Sequence, residues 1–235
     1  MRDPASGPSL WRVPTVPLFP LRTVLVPGRV LPLHIFEPRY RLMIRMLDDL
    51  PEDERGFGIV AIRPGADPEV DGLAALYEMG TMARVTKVDP LPDGRYDLVT
   101  VGARRFSIDS LDNGLPYTRA EVRLHEEPIG DPGRAGALAH TATRLLAEYR
   151  ATIAAWGVID IPDIEHLPTD PIVLSYLIAS AIVTDLPERQ RMLGIPDAEQ
   201  RLAASCAVLR REIEVMATLP SMPAVDLAGA RQYSN

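Results

Sequence analysis

Hydrophobic positions follow two different periods along this 235-residue chain. Up to about residue 125 they come in short runs or alternate with polar ones, as strands require. Beyond residue 131 they recur every three or four positions, as helices require. The first block opens with two apolar runs, Val16–Leu21 and Val24–Val26, a turn at Pro27 and Gly28, and a third run, Val30–Phe36. Pro17, Pro20, Pro27 and Pro32 restrict these runs to short or edge strands, because proline cannot donate to a ladder. Pro38 then sits at the start of a helix, where its missing N–H costs nothing. Tyr40, Met43, Ile44 and Leu47 share one face of that helix and leave Arg39, Arg41 and Arg45 for solvent.

Further strands are expected over Phe57–Arg63, Tyr77–Val88, Arg95–Ile108 and Arg119–Leu124, with Asp48–Arg55 as an acidic loop and Pro64–Gly72 as a surface loop. Asp93 and Gly94 between two β-rich runs mark a hairpin. Gly102 breaks the alternation as a bulge would, re-aiming Arg104, Arg105 and Phe106. The helical block starts at Asp131 and Pro132, and Leu138, Leu145, Tyr149, Ile153 and Trp156 trace one face up to Gly157. Thr169, Asp170 and Pro171 open a second helix with Leu174, Leu177, Ile178 and Ala181 facing inward; Pro187 begins a short third that Gly194 ends. Asp197 and Gln200 form a capping-box pattern ahead of the last helix, where Leu202, Cys206, Leu209, Ile213 and Met216 make a seam for a neighbour. The reading is α+β: a mixed β lobe over residues 13–128, a helical bundle over 129–218, and mobile ends at 1–12 and 219–235.

Composition narrows the chemistry. Hydrophobic residues are 46% and charged residues 24%, an ordinary globular balance, and no run approaches the roughly 18 apolar residues of a membrane helix. The start, MRDPASGPSLWRVPT, has no apolar core of a signal peptide, and the single cysteine, Cys206, fits a reducing cytoplasm. A net charge of −7 makes nucleic acid a poor first partner. Of the 25 basic residues only Lys87 is lysine; no glycine precedes it, so no P-loop can form, and no nucleophile turn flanks it for a Ser-Lys dyad.

The run PLFPLRTVLVPGRVLPLHIFEPRYRLM resembles the opening of the Lon protease amino-terminal, or substrate-binding, domain. YEMGTMARVTKV, PDGRYDLVTVGARRFSI and PYTRAEVRLHEEP are similar to that domain's remaining strands, and the stretch from LSYLIASAIVTDLPERQ to LRREIEVM resembles its helical part. The likeness covers roughly Thr15 to Met216, and IFEPRY looks most like members that carry this domain alone. It implies a PUA-like β pseudo-barrel followed by a helical bundle. It further implies non-catalytic recognition of unfolded or partly folded polypeptide or of a protease partner, with no cofactor. An adaptor role in proteolysis or quality control would follow. The ATPase and Ser-Lys protease domains of full-length relatives are not expected here.

Other chemistry reads as bland. Asp160, Asp163, Glu165, His166 and Asp170 could converge on a metal, but Pro162 and Pro168 point to an extended solvated loop, with Asp170 as a helix cap. His34 near Glu37 lacks a third group for acid–base work, and Cys206 lies on an apolar seam. Arg84, Arg104, Arg105, Arg119 and Arg123 could face RNA phosphate, a reading weakened by Glu121, Glu126 and Glu127 among them. A peptide-contact surface is expected on the opening unit, with Pro20, Leu21 and Phe36 as apolar anchors and Arg22 and Arg39 as orienting charges. The same apolar residues could instead seal the β lobe. Limited proteolysis should cut first within residues 1–12, within Pro64–Gly72 and after Met216; a first cut inside Leu202–Ile213 would contradict the helical seam.

Overall fold

The Asp93–Gly94 turn joins the two longest strands, β4 (Leu76–Pro90) and β5 (Tyr96–Asp112), into the hairpin that its composition predicts. This computed structural model describes residues 15–155 and 167–218. The expectations for Trp156, Gly157, the cluster from Asp160 to His166 and both chain ends fall outside them. β5 pairs with β4 along one edge; on the other, its first half takes β2 (Val30–Ile35) and its second half takes β6 (Arg119–Leu124). β1 (Thr15–Leu21) lies parallel to β3 (Gly56–Ile62) and antiparallel to β6, so the order β2-β5-β4-β3-β1-β6 returns to β5 and closes a five-stranded mixed barrel. β2 stays outside the closure as an edge strand, as its Pro32 requires.

β1 is buried on both faces, which explains its continuous apolar run. Leu18 points into the barrel with Val60, Met82 and Phe106; Phe19 points the other way, its ring centroid 4.3 Å from Tyr40 on α1 (Pro38–Asp48). Tyr40, Met43, Ile44 and Leu47 of that helix are all buried, as their spacing predicts. Inside the barrel the Phe106 ring lies on Gly80, where an added Cβ would meet it at 2.5 Å. The ladder between Thr81–Ala83 and Gly102–Arg105 shifts register, so the expected bulge is present. Gly102 also lets two backbones meet closely: a Cβ there would lie 2.2 Å from the Val26 carbonyl oxygen, and its N–H donates to Arg29 O.

Two segments differ from expectation. Val24–Val26 is not a strand. Its residues serve different cores: Leu25 packs beneath α1 and its carbonyl accepts from Thr81 Oγ1 at 2.7 Å, while Val26 packs on Tyr176 and Leu193. Pro64–Gly72 contains a one-turn helix, α2 (Pro68–Asp71), which Asp67 caps by accepting from Glu69 N; the Asp-Pro-Glu start signal was present in the sequence.

The helices are α3 (Pro132–Ala155), α4 (Pro171–Ala181), α5 (Leu186–Gly194) and α6 (Ala198–Thr218). Their caps are the acids read from sequence: Asp131 accepts from Arg134 N, Asp170 from Ile172 N and Asp197 from Gln200 N, each at 2.8 Å. Asp185, two residues before Pro187, caps α5. Leu202, Cys206 and Leu209 of α6 are buried with Leu145, Tyr149 and Ile178. Leu177, expected inward, instead lines a groove at the edge of the bundle.

Arg105 is the main correction. Its position beside Arg104 suggested a basic surface, yet it is only 2% exposed. The bulge turns it into the seam between barrel and helices. There Nε donates to Glu127 Oε1 at 2.8 Å and Nη1 to the carbonyls of Leu193 and Ile195 at the end of α5. Arg201, fully buried on α6, lies 3.8 Å from Glu127 Oε2 and stacks over Tyr176 at 3.7 Å, and the Tyr176 hydroxyl donates to Glu127 at 2.5 Å. The connection itself is fastened, because the carbonyls of Pro128 and Ile129 accept from Ala198 N and Glu199 N of α6.

Two substitutions test this packing. Leu209→Ala should cost about 2–5 kcal/mol in urea unfolding, whereas a change under about 0.5 kcal/mol would place the seam at the surface. Arg105→Met should cost about 3–5 kcal/mol, because it removes the close cation from Glu127 and the buried donor to the Leu193 carbonyl; a surface-like effect would refute the buried role.

Candidate binding surfaces

The end of β1 and the start of α1 form one wall of an open groove of about 630 Å³. Pro20, Tyr40, Ile62 and Pro68 give it apolar surface, and Glu37, Arg39, Asp67 and Glu69 rim it. The local chain explains the rim. Glu37 stands at the N-cap of α1 but makes no side-chain cap; its carboxylate instead accepts from Arg39, whose Nε and Nη2 lie at 2.9 and 2.8 Å. Arg39 Nη1 donates to Glu69 Oε1 at 2.9 Å, bringing the α2 turn against the groove. Partial burial of Arg39 opposes its charge, but Tyr40 and the two carboxylates outweigh that and raise its pKa. The groove thus sets apolar walls beside a row of fixed, mutually paired charges.

Of the five expected contact residues, Pro20 and Arg39 line this groove together. Leu21 is half-buried against the core beneath α1, and Arg22 is exposed. Phe36 is 60% exposed and its ring stacks on His34, whose Nδ1 lies 2.7 Å from Asp97 Oδ1. Phe36 continues a solvent-facing row along β2, after Val30, Pro32 and His34.

Most of the arginines proposed for RNA are occupied. Arg104 pairs with Glu126, Arg119 with Asp112 and Arg123 with Asp109, while Arg105 is buried; Arg84 is exposed and makes no ion pair among the described residues. Local neutralisation of this kind leaves little net field for phosphate.

One pairing escaped the sequence: Ser107 Oγ and His125 Nε2 are 2.7 Å apart across β5 and the end of β6. Only the sheet register brings them together. Burial, with Arg105 and Arg123 nearby, lowers the His125 pKa. Among the described residues no carboxylate bonds its other ring nitrogen, the orienting contact that a catalytic serine–histidine pair uses. Nor do three His, Cys, Asp or Glu residues among them gather as a metal site. Cys206 is buried, and burial raises its thiol pKa, away from the reactive thiolate. No helix among the described residues is long and apolar enough to cross a membrane.

Residues 15–211 match the family described as the substrate-binding domain of ATP-dependent protease La (Lon). Lon protease of Anaeromyxobacter dehalogenans is 30% identical over 220 residues, 91% of this chain and 26% of that protein. Lon protease of Escherichia coli is 26% identical over 204 residues, 86% of this chain and 25% of that protein. The chain thus spans about a quarter of the length of these curated relatives. Among solved structures, the N-terminal domain of Mycobacterium avium complex Lon protease superposes with a TM-score of 0.59 at 21% identity, over 85% of this chain and 98% of that one. A Lon N-terminal domain protein from Xanthomonas campestris gives 0.54 at 22% identity, over 88% and 99%. At these identities the likeness is one of fold.

Proposed function

The chain belongs to the Lon substrate-binding domain family, and from that premise we propose that it recognises polypeptide without cutting it. The observation that carries this reading is the groove between β1 and α1, with apolar walls and an Arg39 held between Glu37 and Glu69. Apolar area supplies affinity and the fixed charges set orientation, a combination that suits exposed segments of unfolded chains. Pro20, Leu21 and Phe36 are the proposed anchors, Arg22 and Arg39 the orienting groups. The partner is an unfolded or partly folded polypeptide, or a protease to which such a chain is delivered. An adaptor in proteolysis or quality control is the role that fits both the family and the surface. A cytoplasmic setting agrees with the buried thiol of Cys206.

Capture of unfolded, carboxymethylated casein by the immobilised chain tests the proposal. Wild type should retain it in preference to a native globular protein. Phe36→Ala and Arg39→Ala should each weaken retention about tenfold, the size of one anchoring contact, with Phe36→Ala leaving stability within about 0.5 kcal/mol. Equal retention of native and unfolded proteins would refute recognition of unfolded chain. Casein cleavage by the pure chain alone would refute the absence of catalysis.

A further inference from the structure

A second groove, of about 370 Å³, runs between the loop entering β2 and the outer face of α4. Val26, Pro27 and Val30 form one wall, Val173 and Leu177 the other; Val30 and Val173 are 54% and 42% exposed. Arg29 is the one ionisable residue in its lining, and it makes no ion pair or side-chain hydrogen bond among the described residues. An apolar trough with a single unpaired guanidinium is complementary to apolar chain bearing a carboxylate.

The groove ends where the free edge of β2 begins. The carbonyls of Arg29 and Leu31 accept from Gly102 N and Thr100 Oγ1 of β5. Strand alternation therefore turns the backbone groups of Val30, Pro32 and His34 away from β5, towards an edge that no described strand covers. That edge offers three carbonyls and two N–H groups over about 13 Å, and the row Val30, Pro32, His34 and Phe36 flanks it. A second copy of β2 fits it badly. Antiparallel self-pairing about Pro32 sets two prolines opposite each other with neither N–H to give. A foreign strand loses only the one bond that Pro32 cannot donate and can still give its own N–H to the Pro32 carbonyl.

We propose that the free edge of β2 binds an extended polypeptide segment as an added strand, with apolar side chains in the α4 groove and an acidic side chain on Arg29. This inference rests on the reading of the chain as a polypeptide binder and names a second contact surface for it. The charges of the groove between β1 and α1 are paired with one another, whereas the single unpaired cation here selects acidic neighbours.

Fluorescence polarisation with labelled eight-residue peptides of alternating valine and threonine decides the matter. One peptide carries a central glutamate, one a central lysine, and one the glutamate with alternate backbone nitrogens methylated. Wild type should bind the glutamate peptide about tenfold more tightly than the lysine peptide at low salt, and methylation should abolish binding, because strand addition needs those N–H donors. Arg29→Glu, at an exposed position, should reverse the charge preference with an unchanged melting temperature. Val173→Ser should weaken both charged peptides alike. Absence of charge preference, no reversal in Arg29→Glu, or full affinity of the methylated peptide would each overturn the proposal, as would peptide affinity that falls when the chain self-associates. Casein retention measured in parallel separates the two levels. Retention without charge preference removes this surface and leaves polypeptide recognition; loss of both removes the two together.

Discussion

Two buried guanidiniums share one carboxylate at the centre of this molecule, and the geometry of everything else depends on how that imbalance is met. A charge taken out of water is costly unless its partners are close and well aligned. Glu127 answers only half of the positive charge of Arg105 and Arg201. The rest is met by dipoles: helix-end carbonyls from Leu193 to Pro196, and the face of Tyr176 beneath Arg201. Burial pushes the Tyr176 phenol far above its ordinary pKa, so it stays a neutral donor to Glu127. The barrel supplies one cation, the connection the anion, and the bundle the other cation and the dipoles. Neither part can swing away without leaving a charge dry and unpaired. The grooves at β1 and at α4 therefore keep a fixed separation.

That arrangement also marks where sequence reasoning reaches its limit. Helix starts were legible because an N-cap acts within three residues: Asp131, Asp170 and Asp197 bond where the pattern places them. The hairpin and the Gly102 bulge were legible for the same local reason. Arg105 was not, since its partners lie about twenty to ninety residues away and nothing in an Arg-Arg doublet says which one turns inward. Val24–Val26 misled because an apolar run records burial, not a ladder. Of the candidate site, the sequence indicated the opening unit but not its shape. Glu69 and Asp67 reach the groove from a segment that reads as plain loop, and Leu177 reads as core because a helix face exposed to a groove has the same spacing as one exposed to a neighbour.

The prolines of the opening unit have distinct roles. Pro32 keeps β2 at an edge, Pro27 helps shape the loop beside α4, and Pro38 starts α1 with Glu37 and Arg39 side by side on the groove. Pro32 withholds a backbone donor that a central strand would need, whereas Pro38 occupies a position where none is used, so β2 keeps an unpaired edge and α1 starts cleanly.

The closure of the barrel has a consequence for synthesis on the ribosome. β1 emerges first, yet its antiparallel partner β6 lies about a hundred residues later, Thr15 opposite Glu121. The β4–β5 hairpin is local and can form early, and β1 can meet β3, but closure of the barrel must wait, and pairing over such a distance is slow because the loop must first be closed. Until β6 arrives, Leu18 and Phe19 can already meet β3 and α1, but the Thr15–Pro17 end of β1 stays unpaired and the barrel stays open, much as the unfolded segments it is proposed to bind are open.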